Sequence, residues 1–190
     1  LLTILCLVLL VSCSNEPPPE VPTNKLVERQ GIKYEINSTT PFTGIVVSDY
    51  RSSGGGIYRE EYKNGLPEGL WEHYYQNGNL DFRHDDDLQE KYYENGQLRT
   101  RKNYKDGKPD GLYESFYENG QLSFRGNQKN FQWEGLQEWF DENGQLKSKV
   151  NYNKNGDGLR EHFDEEGNLT KTEEYKKGKE EGLQKVFYVN

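Results

Sequence analysis

Apolar and polar residues alternate along most of the chain, and glycine-containing turns interrupt the alternation at regular intervals. YYENGQL at 92–98, FYENGQL at 116–122 and FDENGQL at 140–146 are nearly the same seven residues, repeated every 24 positions. A second kind of turn recurs as YKNG at 62–65, YKDG at 104–107 and YKKG at 175–178. Because Asn-Gly and Asp-Gly between alternating runs are strong hairpin signals, each unit is predicted to run strand, turn, strand, turn. The sequence therefore predicts an all-β fold, an elongated antiparallel β-meander of about a dozen strands.

Each unit opens on a Gly-Leu pair, and an aromatic residue lies five positions after the glycine. The pairs are Gly69-Leu70, Gly111-Leu112, Gly135-Leu136, Gly158-Leu159 and Gly182-Leu183, and Asp87-Leu88 takes the same place in a unit shortened by about six residues. The aromatic residues are Tyr74, Tyr92, Phe116, Phe140, Phe163 and Phe187. A single active site needs no copies, so the repetition indicates architecture before function.

Two registers are possible for the ENG hairpins. A two-residue turn at Asn119-Gly120 places Glu114 opposite Arg125, and equivalent turns pair Glu138 with Lys149, Glu90 with Arg101 and Glu72 with Arg83. A three-residue turn with Gly120 left-handed places Phe116 opposite Leu122 instead. Leu112, Phe116, Leu122 and Phe124 then share one face, as do Leu136, Phe140, Leu146 and Val150. Burying a Leu or Phe contributes about 1.5–3 kcal/mol against roughly 0–1 for a surface ion pair, which favours the three-residue turn.

The recurring unit G-L-x-E-x-[YF]-x-x-N-G-x-L, followed by Y-K-x-G, resembles the bacterial variant of the MORN repeat. The resemblance covers about residues 40–190 and includes the entry segment PFTGIVV at 41–47. It implies a hairpin-repeat fold and little about activity, since many members are labelled as antitoxin components and eukaryotic relatives are linked to membranes and scaffolding. The chain departs from the pattern at RHDDDL (83–88) and at QKNFQWEG (128–135), where Phe131 and Trp133 replace the usual turn residues.

The first twelve residues, LLTILCLVLLVS, are apolar and uncharged. The run is shorter than the roughly 20 residues of a spanning helix and has the length of a signal-peptide core. Leu10-Val11-Ser12-Cys13 resembles a bacterial lipobox, which implies cleavage before Cys13 and a lipid on its sulfur; the alternative is a buried strand with an idle cysteine. Because no Met or basic segment precedes the run, its start is expected to be truncated.

The chain is accordingly predicted to have three parts: a signal peptide at 1–12, a lipidated cysteine and proline-rich tether at 13–24, and a repeat domain at 25–190. The predicted location is the bacterial cell envelope, with membrane attachment through the lipid.

Composition refines this picture. Only 32% of the residues are hydrophobic and 29% are charged, which is typical of disordered chains. Against disorder stand 14 Tyr, 8 Phe, 3 Trp and 20 Gly, the residues of strands and turns. A thin β-structure with aromatic strips and no deep core satisfies both observations. The formal charge of −8 argues against nucleic acid as a partner.

The search for catalytic or metal-binding residues predicts none. Glu72, Glu90, Glu114, Glu138 and Glu161 form a column, but equivalent residues of successive hairpins lie roughly 9–10 Å apart, too far to share an ion; a solvated or salt-bridged stripe is expected. NYNKNGDGLREH at 151–162 imitates a calcium loop, yet His162 stands where a bidentate Glu is needed. His84 with Asp85, Asp86 and Asp87 is predicted to form a polar turn. No nucleophile elbow or phosphate loop occurs in the sequence, so no cofactor and no enzyme activity are expected.

The remaining candidate is a surface. Under the favoured register, one face carries the candidate partner-binding residues Trp71, Tyr75, Tyr93, Tyr113, Tyr117 and Trp139, near Arg99, Arg125 and Lys147. Aromatic residues among charges are typical of interfaces and suit sugar stacking, although cross-strand pairing explains them equally well.

The predicted function is a non-enzymatic, lipid-anchored binding or scaffolding surface for a protein or glycan. One alternative is an antitoxin or immunity protein that masks a basic toxin. A second is a carboxylate-dependent enzyme acting on glycans. Exposed sheet edges also allow edge-to-edge self-association.

Overall fold

The computed structural model describes residues 17–182 and 184–188 of the 190-residue chain. The predicted signal peptide and the lipidation site Cys13 lie outside these residues and stay predictions. Within the described residues, no helix is both long and apolar enough to cross a membrane.

Seventeen strands make up the described part of the chain. They are β1 (Glu20–Pro22), β2 (Leu26–Arg29), β3 (Ile32–Glu35), β4 (Gly44–Asp49), β5 (Ile57–Lys63), β6 (Leu66–Tyr74), β7 (Leu80–His84), β8 (Leu88–Tyr92), β9 (Leu98–Lys105), β10 (Lys108–Phe116), β11 (Leu122–Lys129), β12 (Gln132–Phe140), β13 (Leu146–Tyr152), β14 (Gly158–Phe163), β15 (Leu169–Lys176), β16 (Lys179–Glu180) and β17 (Lys185–Val186). Two single-turn 3₁₀ helices lie at Thr23–Lys25 and Arg51–Ser53.

Fifteen of these strands form one sheet, in which β4 to β16 follow each other in chain order as antiparallel neighbours. β1 pairs with β4 in parallel, β17 pairs with β15, and β2 and β3 form a separate two-stranded sheet. The predicted all-β meander is confirmed. It has more strands than predicted because the segment before residue 40 and the last residues add short strands outside the repeats.

The favoured register holds next to each ENG turn, and the register that was set aside holds further along the strands, with a β-bulge between them. Phe116 pairs with Leu122 and Gly120 has φ +84°, as the three-residue turn requires. The register then shifts so that Glu114 pairs with Arg125, as the two-residue turn requires. Ser123 is the extra residue at the bulge. The hairpin thus gains the apolar pair next to the turn and the charge pair further along the strands.

The bulge makes part of the predicted face assignment wrong. Phe124 does not share a face with Phe116; it lies opposite Ser115 and its ring contacts Tyr113 and Trp139. Val150 likewise pairs with Gln137, so it lies on the face opposite Leu136, Phe140 and Leu146. One inserted residue moves every side chain beyond it to the other face.

A row of alternating charges crosses the repeats on one face of the sheet. We call it the charge ladder; in strand order from β5 to β14 its members are Arg59, Glu72, Arg83, Glu90, Arg101, Glu114, Arg125, Glu138, Lys149 and Glu161. Nε of Arg101 lies 2.9 Å from Oε1 of Glu90, and Nζ of Lys149 lies 3.1 Å from Oε2 of Glu161. The glutamate column is therefore the salt-bridged stripe that the sequence predicts, with the bases contributed by the intervening strands.

The apolar core lies at the N-terminal end. Phe42, Val46 and Tyr62 are buried together, and Val21 and Leu26 pack against them. This contact corrects the predicted extent of the tether to residue 24. The N–H of Ile45 donates to the carbonyl of Pro19 at 2.8 Å, and Glu20–Pro22 pairs along β4. Proline tolerates such an edge position because its missing N–H can face away from the sheet.

Candidate binding surface

Three of the six predicted surface aromatics lie in the ENG turns and join successive hairpins. The hydroxyl of Tyr75 donates to the carbonyl of Tyr92 at 2.9 Å, and the hydroxyl of Tyr93 donates to that of Phe116 at 2.8 Å. Tyr117 makes the same bond to the carbonyl of Phe140. Burial, together with the nearby Asp81, raises the pKa of Tyr75 to about 12, so its hydroxyl stays a donor at neutral pH. The hydroxyls of these three tyrosines therefore stabilise the sheet, and a stabilising role was the alternative to partner binding for these residues.

The asparagines of the turns at 75–79, 93–97 and 117–121 reinforce this link. Nδ2 of Asn95 donates to the carbonyl of Glu118 in the next turn at 3.1 Å, while its Oδ1 accepts the N–H of Gln97 at 2.9 Å. Asn119 bridges to the carbonyl of Glu142 in the same way. The turns from 75–79 to 141–145 thus form a stack in which each turn bonds to the next.

The other three predicted aromatics, Trp71, Tyr113 and Trp139, lie on the sheet face opposite the charge ladder. Phe82, Phe124 and Trp133 join them there, and we call these six residues the aromatic face. The centroid of Trp71 lies 4.8 Å from that of Phe82. Trp133 meets Tyr113 and Phe124 edge-on at 5.5 and 5.1 Å. Arg125, predicted on this face, instead pairs with Glu138 in the charge ladder because the bulge exchanges its side with that of Phe124.

Two indole rings of the aromatic face remain accessible. Trp71 is 37% exposed and Trp133 is 40% exposed. Trp133 occupies the position of Pro67 and Pro109 in the other units, where Pro109 is fully buried. The substitution is visible in the sequence as a departure from the repeat, and this non-repetition was the signal that could have placed Trp133 on the surface.

A depression of about 560 Å³ adjoins Trp139 on this face. It is lined by Tyr117, Ser123, Trp139, Phe140, Lys147, Ser148, Arg160, His162, Phe163, Thr170 and Lys171, a set that includes four basic residues and no carboxylate. The guanidinium carbon of Arg160 lies 4.0 Å from the ring centroid of Trp139, a cation–π contact. Glu173 pairs with His162 and Lys171 beside the hollow, so its positive charge comes from Lys147 and Arg160, in a chain with a formal charge of −8.

Two of the three histidines, His73 and His162, are held by carboxylates. Nδ1 of His73 lies 2.7 Å from Oδ2 of Asp81, and the ring stacks on Tyr58 at 4.2 Å. Nε2 of His162 lies 3.1 Å from Oε2 of Glu173. Lys171 and then His162 lower the pKa of Glu173, so this carboxylate is ionised and acts as a counter-ion at neutral pH. Both His73 and His162 are half-buried members of side-chain rows.

The two predicted polar turns are confirmed. Oδ1 of Asp85 accepts the N–H groups of Asp87 and Leu88 at 3.0 and 2.8 Å, and Asn153 forms an equivalent turn with Asn155 and Asp157. Across residues 17–182 and 184–188, no group of three His, Cys, Asp or Glu side chains is arranged to hold a metal ion.

The arrangement defines a class, an antiparallel hairpin-repeat protein whose faces carry continuous side-chain rows. The MORN repeat variant matches residues 67–84, 88–106, 109–130, 133–154 and 156–177, together more than half of the chain. The chain therefore belongs to the MORN repeat variant family. Repeats of this family are generally non-enzymatic and indicate a repeat-based binding or scaffold protein.

Other comparisons add little. Among curated proteins no relative matches this chain. The crystal structure of TarM is 18% identical over 66% of this chain, with a TM-score of 0.27. The structure of accessory secretory proteins 1, 2 and 3 of Streptococcus pneumoniae is 13% identical over 80%, with a TM-score of 0.19. The chain spans 22% of either matched chain, and neither likeness carries an argument about function.

Proposed function

We propose that this chain is a non-enzymatic scaffold of the bacterial envelope that binds a protein partner on its aromatic face. The observation that carries the proposal is the exposed indole ring of Trp133, which Phe124 joins to Trp139 at the hollow. Trp and Arg are the residues that most often anchor protein interfaces, because they combine large apolar area with directed polar contacts.

The chemistry of the hollow favours a partner segment that carries carboxylates next to apolar side chains. Lys147 and Arg160 supply the positive charge, since Lys171 is paired with Glu173, and Arg160 is held in place by its contact with Trp139. Trp133 provides accessible apolar area in the same aromatic cluster, joined to Trp139 through Phe124. An acidic, amphipathic segment would meet complementary charge and bury both kinds of surface together.

The fold supports a scaffold role. Tyrosine and asparagine side chains bond each ENG turn to the next between β6 and β13, and the charge ladder fixes the strands against each other. Repeat arrays of this kind present one long surface whose parts keep a constant spacing. A partner bound on the aromatic face would therefore be held in a defined orientation.

Photo-crosslinking in the native envelope tests the proposed face. A photoreactive phenylalanine analogue at position 133 should yield an adduct of discrete protein mass, and Arg160→Glu should diminish the yield at least several-fold. Leu136 is the matched control because it is 43% exposed and lies on the opposite face. Equal adducts at 133 and 136 would refute the assignment of the face. Adducts sensitive to glycosidase rather than protease would identify a glycan partner instead.

Lipid anchoring through Cys13 is the second part of the proposal, and it rests on the lipobox resemblance of Leu10-Val11-Ser12-Cys13. Metabolic labelling with a palmitate analogue should mark the wild-type chain and leave the Cys13→Ser variant unmarked. Equal labelling of the two would rule out this site. A chain that stays unlabelled in the cytoplasm, bound to a basic toxin, would instead support the antitoxin alternative.

A further inference from the structure

The turns form a row at each end of the strands, and these two rows of turns, here called edges, carry opposite charge. Four turns, 93–97, 117–121, 141–145 and 164–168, lie at one end of the strands, and we call them the acidic edge. Their charged residues are Glu94, Glu118, Asp141, Glu142, Asp164, Glu165 and Glu166, with no lysine or arginine among them. The carboxylate of Asp164 accepts backbone N–H groups, chiefly that of Asn168. These hydrogen bonds lower the pKa of Asp164 and keep the carboxylate ionised.

Four other turns, 105–108, 129–132, 153–157 and 176–179, lie at the opposite end of the same strands; we call them the basic edge. They carry Lys105, Lys108, Lys129, Lys154, Lys176, Lys177 and Lys179 against two carboxylates, Asp106 and Asp157. All seven lysines are exposed. None of them lies within ion-pair distance of a carboxylate in the part of the chain that the structure describes.

Successive turns have the same spacing along both edges. Successive turns on either edge are separated by two strands, which places them roughly 9–10 Å apart. Four acidic turns and four basic turns therefore repeat with one period along opposite ends of β8 to β16. The match ends towards the N-terminus, where Asp85, Asp86 and Asp87 occupy a turn on the basic side and reverse its charge.

A hydrophobic residue lies on the basic edge without a structural reason. Phe131 has φ +68° and is 67% exposed. The equivalent position in the other units is glycine, with φ +78° at Gly65, +71° at Gly107 and +75° at Gly178. A side chain in this left-handed conformation is strained, so the fold alone would favour glycine here. An exposed aromatic residue kept at such a position is expected to contact something outside the monomer.

We infer that a second copy of this chain docks its acidic edge against the basic edge of the first. The contact pairs carboxylates and ammonium groups that each copy leaves unpaired, and it buries Phe131. The two surfaces are different patches of one molecule, so the association is heterologous and extends into a row. It leaves the aromatic face open on every copy and does not depend on the proposed partner. Because the paired charges lie on the surface, salt screens the attraction between them over the Debye length, which is about 8 Å at physiological ionic strength.

Charge reversal on either edge tests the inference. One variant carries Glu94→Lys, Glu118→Lys and Glu142→Lys, and the other carries Lys105→Glu, Lys129→Glu and Lys154→Glu. Each variant alone should associate at least tenfold more weakly than the wild type. An equimolar mixture should recover association, because the intact basic edge of the first variant meets the intact acidic edge of the second. Recovery in the mixture also demonstrates that both variants fold.

The measurement is sedimentation velocity on the full chain, purified as its host processes it and incorporated singly into nanodiscs. Wild-type association should weaken at least tenfold between 50 and 500 mM NaCl by charge screening. Glu28→Lys with Glu35→Lys is the control, since it shifts the net charge on the separate two-stranded sheet and should leave association unchanged. Phe131→Gly should weaken association several-fold.

Three outcomes would overturn the inference. The first is a wild-type chain that stays single at low salt. The second is that each reversed variant alone associates as strongly as the wild type, which would point to backbone pairing between the outermost strands of two sheets. The third is a mixture that fails to recover association while both variants remain folded by circular dichroism.

Discussion

The N-terminal segment, residues 19–62, and the repeat array, residues 67–177, are stabilised in different ways. The first buries Phe42, Val46 and Tyr62 in one apolar cluster. In the array, the described residues include one fully buried large apolar side chain besides proline, Val150, and several buried polar groups such as Glu90 and Gln137. The array is instead joined by the charge ladder and by the hydrogen bonds between ENG turns. A long sheet can thus be built from rows of contacts between neighbouring strands, provided that its exposed end is covered by a conventional core.

The largest expected effect is at the apolar cluster. Phe42→Ala removes a side chain that is 4% exposed and should lower the free energy of unfolding by about 3–5 kcal/mol. Leu112→Ala is the matched control in the array, where the side chain is 36% exposed, and it should cost less than about 1.5 kcal/mol. Urea denaturation gives both values, and hydrogen exchange should place the loss at Phe42 between residues 19 and 62. Equal costs for the two variants would contradict the comparison.

The next effect is within the charge ladder. Glu90 is 5% exposed, accepts the hydroxyl of Tyr92 at 2.8 Å and pairs with Arg101. Glu90→Gln should therefore cost about 1.5–3 kcal/mol, the range of a charged hydrogen bond. Glu114 is more accessible and lies 3.9 Å from Arg101, so Glu114→Gln should cost roughly 0–1 kcal/mol. The two variants are compared by their urea midpoints, and an equal loss would mean that burial does not set the strength of the ladder.

A smaller effect is expected for the links between turns. Tyr93→Phe removes one hydroxyl that donates to the carbonyl of Phe116 and should cost about 0.5–1.5 kcal/mol. Tyr50→Phe, at a tyrosine that is 51% exposed, is the control and should change the unfolding free energy little. A Tyr93→Phe chain as stable as the wild type would remove these bonds from the account of how the array is stabilised.

The last effect is a loss of stability that appears only at alkaline pH. Burial is the main cause that raises the pKa of Tyr62 and of Tyr92 to about 12, and Glu60 and Glu90 add to it. The unfolded chain releases these protons near pH 10, so the contribution of each tyrosine is complete below pH 10 and is lost as the pH rises to about 12. Unfolding midpoints at pH 9 and 11.5 should differ less for Tyr92→Phe than for the wild type. An identical fall in both proteins would exclude Tyr92 as a contributor.

Much of this fold could be predicted from the sequence because the units repeat. The hairpin order and the ENG turn with Gly120 left-handed each follow from a local pattern, whereas the pairing of Glu114 with Arg125 belonged to the two-residue register that was not favoured. The bulge at Ser123 did not follow, since it arises only when the apolar pair and the charge pair are satisfied together. It was this bulge that placed Phe124 and Val150 on the face opposite to the predicted one.

The candidate surface was predicted in part. Trp71, Tyr113 and Trp139 lie on one face as expected, but Tyr75, Tyr93 and Tyr117 donate their hydroxyls to neighbouring hairpins. Sequence spacing alone cannot distinguish these two uses of an aromatic residue, because the hydrogen bonds that separate them are made to neighbouring hairpins. Pro19 and Val21 were assigned to a tether because the segment is rich in proline. Their partners lie in and around β4 and β5, more than twenty residues further along the chain, so the local sequence does not reveal them.

The shortened unit shows what the charge ladder makes possible. The turn of Asp85, Asp86 and Asp87 lacks several residues, yet Arg83 still pairs with Glu90 and the ladder continues across it. Register is thus reset at every strand pair rather than counted from the beginning of the chain. Length changes at a turn are absorbed where they occur, so a gene encoding such an array can gain or lose single units in evolution and still specify a continuous sheet, its reach adjustable in steps of two strands.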